Sequence, residues 1–276
     1  MPLSPFQARL AKLLAQNRSL DSYLAGGAAL HLAPRSIRYS NDLDYFNDSI
    51  ARVARAFADD SKLLALQNYT VTTEIAQPGY IRALVAKDPE DTKVEWAHDT
   101  AWRFLPVIAD ERVGFRMAPV DLAINKVLAL VGRDEPRDFL DVLELHRSLV
   151  PLGAMIWAAC GKDQGYSPSS LLELLKRKGR YRQEDFKVLH LVSPIDLTAT
   201  KRDWLSAIES AETMISAASS ASPPLPIGCL FYSPSSDKFV SPLDPATDAV
   251  PHFGAPGGVL PIIVNSQAWQ PPLDSG

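Results

Sequence analysis

The sequence predicts an α+β protein, on three observations. Short apolar segments of strand character fill much of the chain up to residue 98. Helix-period runs take over from Pro119. Prolines then concentrate at the C-terminal end, with 11 of the 22 in residues 223–276. Strands first and helices afterwards give a mixed sheet followed by a helical region. The expected division is a core at 1–115, a helical region at 116–222 and a partly ordered proline-rich segment at 223–276.

The elements follow in order. Residues 5–17 carry Phe6, Leu10, Leu13 and Leu14 at helical spacing. Tyr23 to Ala25 reads as a strand, and Gly26-Gly27 as a tight turn opening a helix through Leu32. LDYF (43–46) is a second strand. Residues 49–66 are helical in pattern, with Ile50, Val53, Phe57 and Leu64 on one side. Asn68–Ala76 and Tyr80–Ala86, broken at Gln77-Pro78-Gly79, read as a hairpin. KVEWAH (93–98) alternates, placing Val94 and Trp96 on one face and Lys93 and Glu95 on the other. Two helices led by prolines follow, VDLAINKVLALVG behind Pro119 and PRDFLDVLELHRSL, then two more in GAMIWAA and PSSLLELLKRK. In the proline-rich stretch CLFY (229–232), KFV (238–240) and VLPIIV (259–264) are apolar enough for short strands.

Composition bounds the function. The chain has 276 residues, 46% hydrophobic and 22% charged, which suits a globular protein with a sizeable core. A net charge of −4 supplies no global positive field for nucleic acid, so any such binding needs a local patch. Cys160 and Cys229 lack metal-ligand spacing and fit a reducing compartment. No stretch approaches the roughly 20 apolar residues that span a bilayer, and the N-terminus lacks a signal-peptide pattern. The expectation is a soluble cytoplasmic protein with no membrane partner.

The strongest local signal is RYSNDLDYF. Alternate side chains of a strand share a face, so Asp42 and Asp44 point the same way while Leu43 enters the core. Two carboxylates so close repel unless a cation lies between them. Mg²⁺ prefers oxygen ligands and shares them with phosphates. The plainer alternative is a solvated turn. Gly26-Gly27, about 15 residues earlier at a strand-to-helix turn, offers backbone N–H groups to a phosphate; otherwise it is only a turn. Glu95 lies on the polar face of its strand. It can complete a metal site with the aspartates or simply pair with Lys93. A Glu95 carboxylate more than about 8 Å from the pair would be out of metal-bridging reach.

The helical half adds Asp121 and Lys126, then Arg133, Arg137, Asp138 and Asp141. Lys126 is the one basic residue in an apolar helix. It either snorkels or meets a β- or γ-phosphate, and in either case Lys126→Ala leaves the fold intact. Arg137, Asp138 and Asp141 read equally as an ion-pair group. KRKGRYRQ (176–183) concentrates five basic residues and suits either phosphate contact or a solvated helix end.

Taken together, YLAGGAALHLAPRSIRYSNDLDYF, KVEW and DLAINKVLALVGRDEPRDFLDVLEL resemble the AbiEii/AbiGii toxin family of nucleotidyltransferase-like proteins, related to the MenT-type toxins. The resemblance covers roughly residues 20–150. It implies a DNA polymerase β-like nucleotidyltransferase fold and Mg²⁺- or Mn²⁺-dependent transfer of a nucleotide from a nucleoside triphosphate. It matches Asp42 and Asp44 to the metal-binding pair, Lys126 to the triphosphate-contacting lysine, and Arg137, Asp138 and Asp141 to the last motif; Glu95, read from strand alternation, is expected to complete the metal site. Gly26, Gly27, Arg38, Ser40, Arg133, Arg137 and Asp138 join Lys126 as nucleotide-binding residues. Ala28 stands where many nucleotidyltransferases carry serine after the glycine, so a hydroxyl contact is missing. Family members include toxins of toxin–antitoxin and phage-defence systems, some acting on tRNA 3′ ends. RNA, tRNA or protein acceptors and a cognate antitoxin are therefore implied. Two other functions fit the residues: an antibiotic-type small-molecule nucleotidyltransferase, and a catalytically silent nucleotide-binding module.

Overall fold

A computed structural model describes residues 3–32, 36–243 and 248–261. It is a mixed α+β structure of two compact units. The first comprises Met1–Leu122, Lys187–Ile195 and Ala255–Gly258; the second comprises Ala123–Phe186, Asp196–Gly254 and Val259–Gly276.

The first unit begins with α1 (Pro5–Leu14), continued by a 3₁₀ turn at Ala15–Asn17. Ser4 and Gln7 form a capping box at its start, with Pro5 in the first turn. Such a cap contributes about 1 kcal/mol. Each fully buried leucine of the stripe contributes roughly 1.5–3 kcal/mol, so Leu10 and Leu14, both wholly buried, fix the helix more firmly than the cap does. Next come β1 (Ser22–Ala25), α2 (Gly26–Leu30) and β2 (Asp42–Asn47). Helix α3 (Ile50–Leu66) starts at the Ser49 cap and buries Val53, Ala56, Asp60 and Leu64. Ile50 does not join that stripe as expected; at the first helical position it is 52% exposed.

Strands β3 (Thr70–Gln77) and β4 (Tyr80–Lys87) form the hairpin, with Gln77 opposite Tyr80. Pro78 pre-sets the first turn position, and Gly79 supplies the positive φ of 80° that the second requires. Strand β5 (Glu90–His98) is followed by three short strands outside the expected set: β6 (Trp102–Arg103), β7 (Ile108–Asp110) and β8 (Gly114–Arg116). Their brevity leaves no alternation to read. The seven-stranded sheet runs β3-β4-β5-β2-β1-β8-β7. β2 pairs parallel with β5 and antiparallel with β1. One face packs Leu43, Tyr45, Val94 and Trp96 into a core with Phe6, Leu10, Val53 and Leu64. Later segments return to this unit: Tyr39 and Val192 donate backbone hydrogen bonds to the carbonyls of His190 and Ile37, at 2.8 and 2.9 Å.

Helix α4 (Pro119–Gly132) begins in the first unit and continues in the second. The second unit holds α5 (Pro136–Ser148), α6 (Leu152–Lys162), α7 (Pro168–Leu175) and α8 (Leu197–Ser219). The last is the longest helix among the described residues and lies outside the expected set. Its stripe is largely Ala207, Ala211 and Ala218 around Trp204, Met214 and Ile215, so small side chains dilute the apolar period. Strands β9 (Cys229–Ser233), β10 (Lys238–Val240) and β11 (Val250–Phe253) form a three-stranded sheet in the order β10-β9-β11. Strand β12 (Ala255–Pro256) pairs with β6 in the first unit. Of the strand expected at 259–264, residues 259–261 are irregular and 262–264 lie outside the described residues. Among the described residues no helix is long and apolar enough to cross a membrane.

Candidate active site

Alternation along β2 and β5 builds the site. Leu43 and Tyr45, with Val94 and Trp96, are wholly buried on one face. Asp42, Asp44 and Glu95 are half-buried on the other. In the parallel register Asp42 faces Lys93 and Asp44 faces Glu95. The three carboxylates bring ligand oxygens within 4.8 Å of one another. Such a set of hard, anionic donors suits Mg²⁺ or Mn²⁺.

The neighbours orient these groups. Ser40 donates its hydroxyl to the Asp42 carbonyl at 3.0 Å and to the Asp42 carboxylate at 3.3 Å. Arg82 on β4, the register partner of Glu95, donates from Nε to the Glu95 carboxylate at 2.8 Å. The resolved ionic partner of Glu95 is thus Arg82 across the strands, and not the Lys93 that sequence neighbourhood suggests. Tyr80 also sits beside Glu95; burial first, and next the Glu95 charge, push its phenol up to about 12.

The glycine pair lies against the same carboxylates. Gly26 has φ 57°, and a Cβ there would collide with the Asp44 carboxylate. Only glycine fits both the backbone conformation and the close approach. A Cβ on Gly27 would come within 3.1 Å of the Arg38 guanidinium and of the Ser40 hydroxyl. Arg38 is 3% exposed and donates to the Tyr39 carbonyl at 3.1 Å. Ala28 turns its methyl into the core. The structure therefore brings Gly26, Gly27, Arg38, Ser40, Asp42, Asp44 and Glu95 together in the first unit. A cleft of about 550 Å³ opens beside them, lined in part by Tyr39, Ser40, Asn41, Lys93 and His190.

No family model and no curated sequence matches the chain significantly. Solved structures do match. A proposed nucleotidyltransferase from H. pylori is 18% identical, with a TM-score of 0.50 over 76% of this chain and 93% of that one. MenT4, a nucleotidyltransferase toxin from Mycobacterium tuberculosis H37Rv, is 14% identical, with a TM-score of 0.50 over 75% of this chain and 82% of that one. JHP933 from Helicobacter pylori is 19% identical, at a TM-score of 0.47 over 76% and 90%. The chain has a nucleotidyltransferase-like fold.

The remaining residues that the resemblance assigns lie in the second unit. Lys126, at 6% exposed, does not snorkel. Its ammonium donates to Asp138 and pairs with Asp141, each at 2.8 Å, and Arg133 reaches Asp138 at 2.7 Å. Burial pushes the Asp138 carboxyl up, but Lys126 and Arg133 outweigh burial and hold it below the usual carboxylate range. Arg137 is half-buried at the start of α5. This cluster ties α4 to α5. It overturns the expectation that Lys126→Ala is harmless to the fold, because the change leaves two wholly buried carboxylates short of their cation. Asp121 has a structural use in the first unit, accepting the backbone N–H groups of Phe104 and Leu105 at 2.7 and 3.0 Å. Within the basic segment, Lys176 pairs with Glu173 and Glu212 at 2.8 Å, and Lys178 lies 3.8 Å from Asp134. Part of that cluster's charge is thereby offset.

Sequence reasoning missed Arg82, and also Arg18 and Asp60 beneath the sheet. Arg82 carried no signal until the β4–β5 register was known. Asp60 did carry one: it is a charge on the buried stripe of Val53, Ala56 and Leu64.

Proposed function

We propose that this protein is a metal-dependent nucleotidyltransferase whose metal ligands are Asp42, Asp44 and Glu95. The observation that carries the proposal is the convergence of these carboxylates within 4.8 Å beside a glycine turn that only glycine can form. A divalent ion, when bound, neutralises phosphate charge and polarises the reacting phosphoryl group. The residues around it have separate tasks. Asp42 and Asp44 hold the ion, with Ser40 directing the Asp42 carboxylate. The Gly26–Gly27 turn presents backbone N–H groups to phosphate oxygens, and Arg38 adds charge behind Gly27. Glu95, oriented by Arg82, binds the ion or accepts the proton of the acceptor hydroxyl. That hydroxyl oxygen forms a bond to the α-phosphorus, and the bond to the leaving pyrophosphate breaks.

We place the acceptor in the cleft beside Asp42, where Lys93, Asn41 and His190 offer polar contacts. RNA, including tRNA, is the proposed acceptor, supported by the segment at 176–183. A toxin role with a cognate antitoxin is proposed on the fold shared with MenT4. The contribution of Lys126, Arg133, Arg137 and Asp138 to triphosphate binding is a separate proposal that rests on the resemblance in sequence order. The test is incubation of the purified protein with Mg²⁺, each α-labelled triphosphate, total RNA and a protein extract. Label in RNA that disappears with Asp44→Ala supports the proposal. Label in protein corrects the acceptor, and label in neither fraction with any triphosphate contradicts it.

A further inference from the structure

Directly beneath the carboxylates, on the buried face of the sheet, lies a charged cluster with no part in the chemistry above. Arg18 and Asp60 form an ion pair with both side chains fully buried. Arg18 Nη2 donates to both Asp60 oxygens at 2.6 Å. The indole N–H of Trp96 donates to Asp60 Oδ2 at 2.7 Å, and Asn17 donates to Oδ1 at 2.9 Å. The Arg18 guanidinium also lies over the Tyr45 ring, 4.2 Å from its centroid. Arg18 further donates to the Ser22 hydroxyl on β1 at 3.2 Å and to the Leu14 carbonyl at 3.2 Å.

The two aromatic partners are not arbitrary. Tyr45 follows Asp44, and Trp96 follows Glu95. In the parallel register Tyr45 faces Trp96 directly, one step beyond the Asp44–Glu95 pair. One ion pair therefore grips β2 through Tyr45, β5 through Trp96 and β1 through Ser22. A buried ion pair is a poor way to gain stability, since desolvating two charges offsets most of their attraction and apolar residues of the same volume often do better. What it does supply is direction. One guanidinium nitrogen spans both Asp60 oxygens, Trp96 and Asn17 donate to the same carboxylate, and the other two guanidinium nitrogens are held by Leu14 and Ser22. This set of charge-assisted hydrogen bonds fixes angles that aliphatic packing leaves softer.

We propose that Arg18 and Asp60 are positioning residues, a clamp on the inner face that sets the separation of the Asp44 and Glu95 carboxylates on the outer face. The inference rests on the metal-site reading. It concerns the spacing of the ligands, so its direct readout is metal affinity. The groups that orient metal ligands typically contribute 10–100-fold to that affinity, and a clamp on both ligand-bearing strands belongs in that range.

The test is Mn²⁺ binding, followed by the electron paramagnetic resonance signal of free Mn²⁺, on folded protein below its melting temperature. The variants are Asp60→Asn, which removes the charge, and Trp96→Phe, which keeps the ion pair and an aromatic ring but deletes the N–H donor. Tyr45→Phe and Leu64→Ala are controls. The first keeps the ring under Arg18, and the second removes a wholly buried side chain of α3. The clamp requires about a tenfold or greater loss of Mn²⁺ affinity in Asp60→Asn and Trp96→Phe, with transfer recovering at high Mn²⁺. Both controls keep wild-type affinity. If Asp60→Asn does not fold, Trp96→Phe decides. Wild-type affinity in a folded test variant overturns the clamp while leaving the metal site standing. An equal loss in Leu64→Ala also overturns it, because general loosening would then explain the effect. If the wild-type protein binds no Mn²⁺, or binds it equally well as Asp42→Asn, the metal-site reading fails and the clamp with it.

Discussion

Asp44 and Glu95 stand opposite each other on adjacent parallel strands, with Gly26 closing over Asp44 and Arg82 holding Glu95. The pair comes from segments 51 residues apart in sequence. Its geometry depends on a backbone register as much as on either side chain.

Replacing either aspartate should separate chemistry from stability. Asp42→Ala and Asp44→Ala are expected to lower transfer by about a thousandfold or more, matching several kcal/mol of lost transition-state stabilisation. The melting temperature of the metal-free protein should hold or rise slightly, because like charges then repel less. Steady-state kinetics beside a thermal melt in chelator checks both halves.

Gly26→Ala should harm both fold and site. Its φ of 57° disfavours any Cβ, and that Cβ would strike the Asp44 carboxylate. The expected cost is about 1–3 kcal/mol, the range for a strained backbone position, together with weaker Mn²⁺ binding. Gly132→Ala is the control, since nothing lies within 4 Å of a Cβ there. Urea titrations of the two variants should differ clearly.

Lys126→Ala is expected to destabilise the fold by about 3–5 kcal/mol, as for other broken buried pairs. The pH dependence carries a sign. Asp138 has a lowered pKa in the folded protein, so its contribution is complete above the ordinary carboxylate pKa of 3.8. That contribution is lost as pH falls below it through the folded value. In Lys126→Ala burial gains weight against the remaining partners, and the carboxyl moves upward. The stability gap to wild type should therefore narrow as pH falls from 7 towards 4. Urea unfolding at several pH values measures this; a gap that widens in acid would show that Lys126 is not what holds Asp138 ionised.

Much of the first unit was legible because strand period and turn chemistry were both explicit. Leu43 between two aspartates, and Val94 and Trp96 about Glu95, give each side chain its face without any tertiary information. Pro78-Gly79 marks the hairpin in the same way. What could not be read depends on pairing across the sheet. Arg82 becomes the partner of Glu95 only once β4 is set beside β5. Asp60 sits on an apolar stripe, yet its Arg18 partner lies 42 residues earlier. Helix α8 escaped because alanines carry much of its buried face. Lys126 was read as an isolated charge because its two acidic partners lie on the next helix.

The most direct test of the central claim uses one triphosphate labelled separately at the α- and γ-phosphorus, with total RNA, with and without Mg²⁺. A nucleotidyltransferase built on Asp42, Asp44 and Glu95 transfers the α-label to the acceptor and releases the γ-label as pyrophosphate. Both events should require the ion and vanish in Asp44→Ala. Transfer of the γ-label instead, or α-label transfer that survives Asp44→Ala undiminished, would contradict the account.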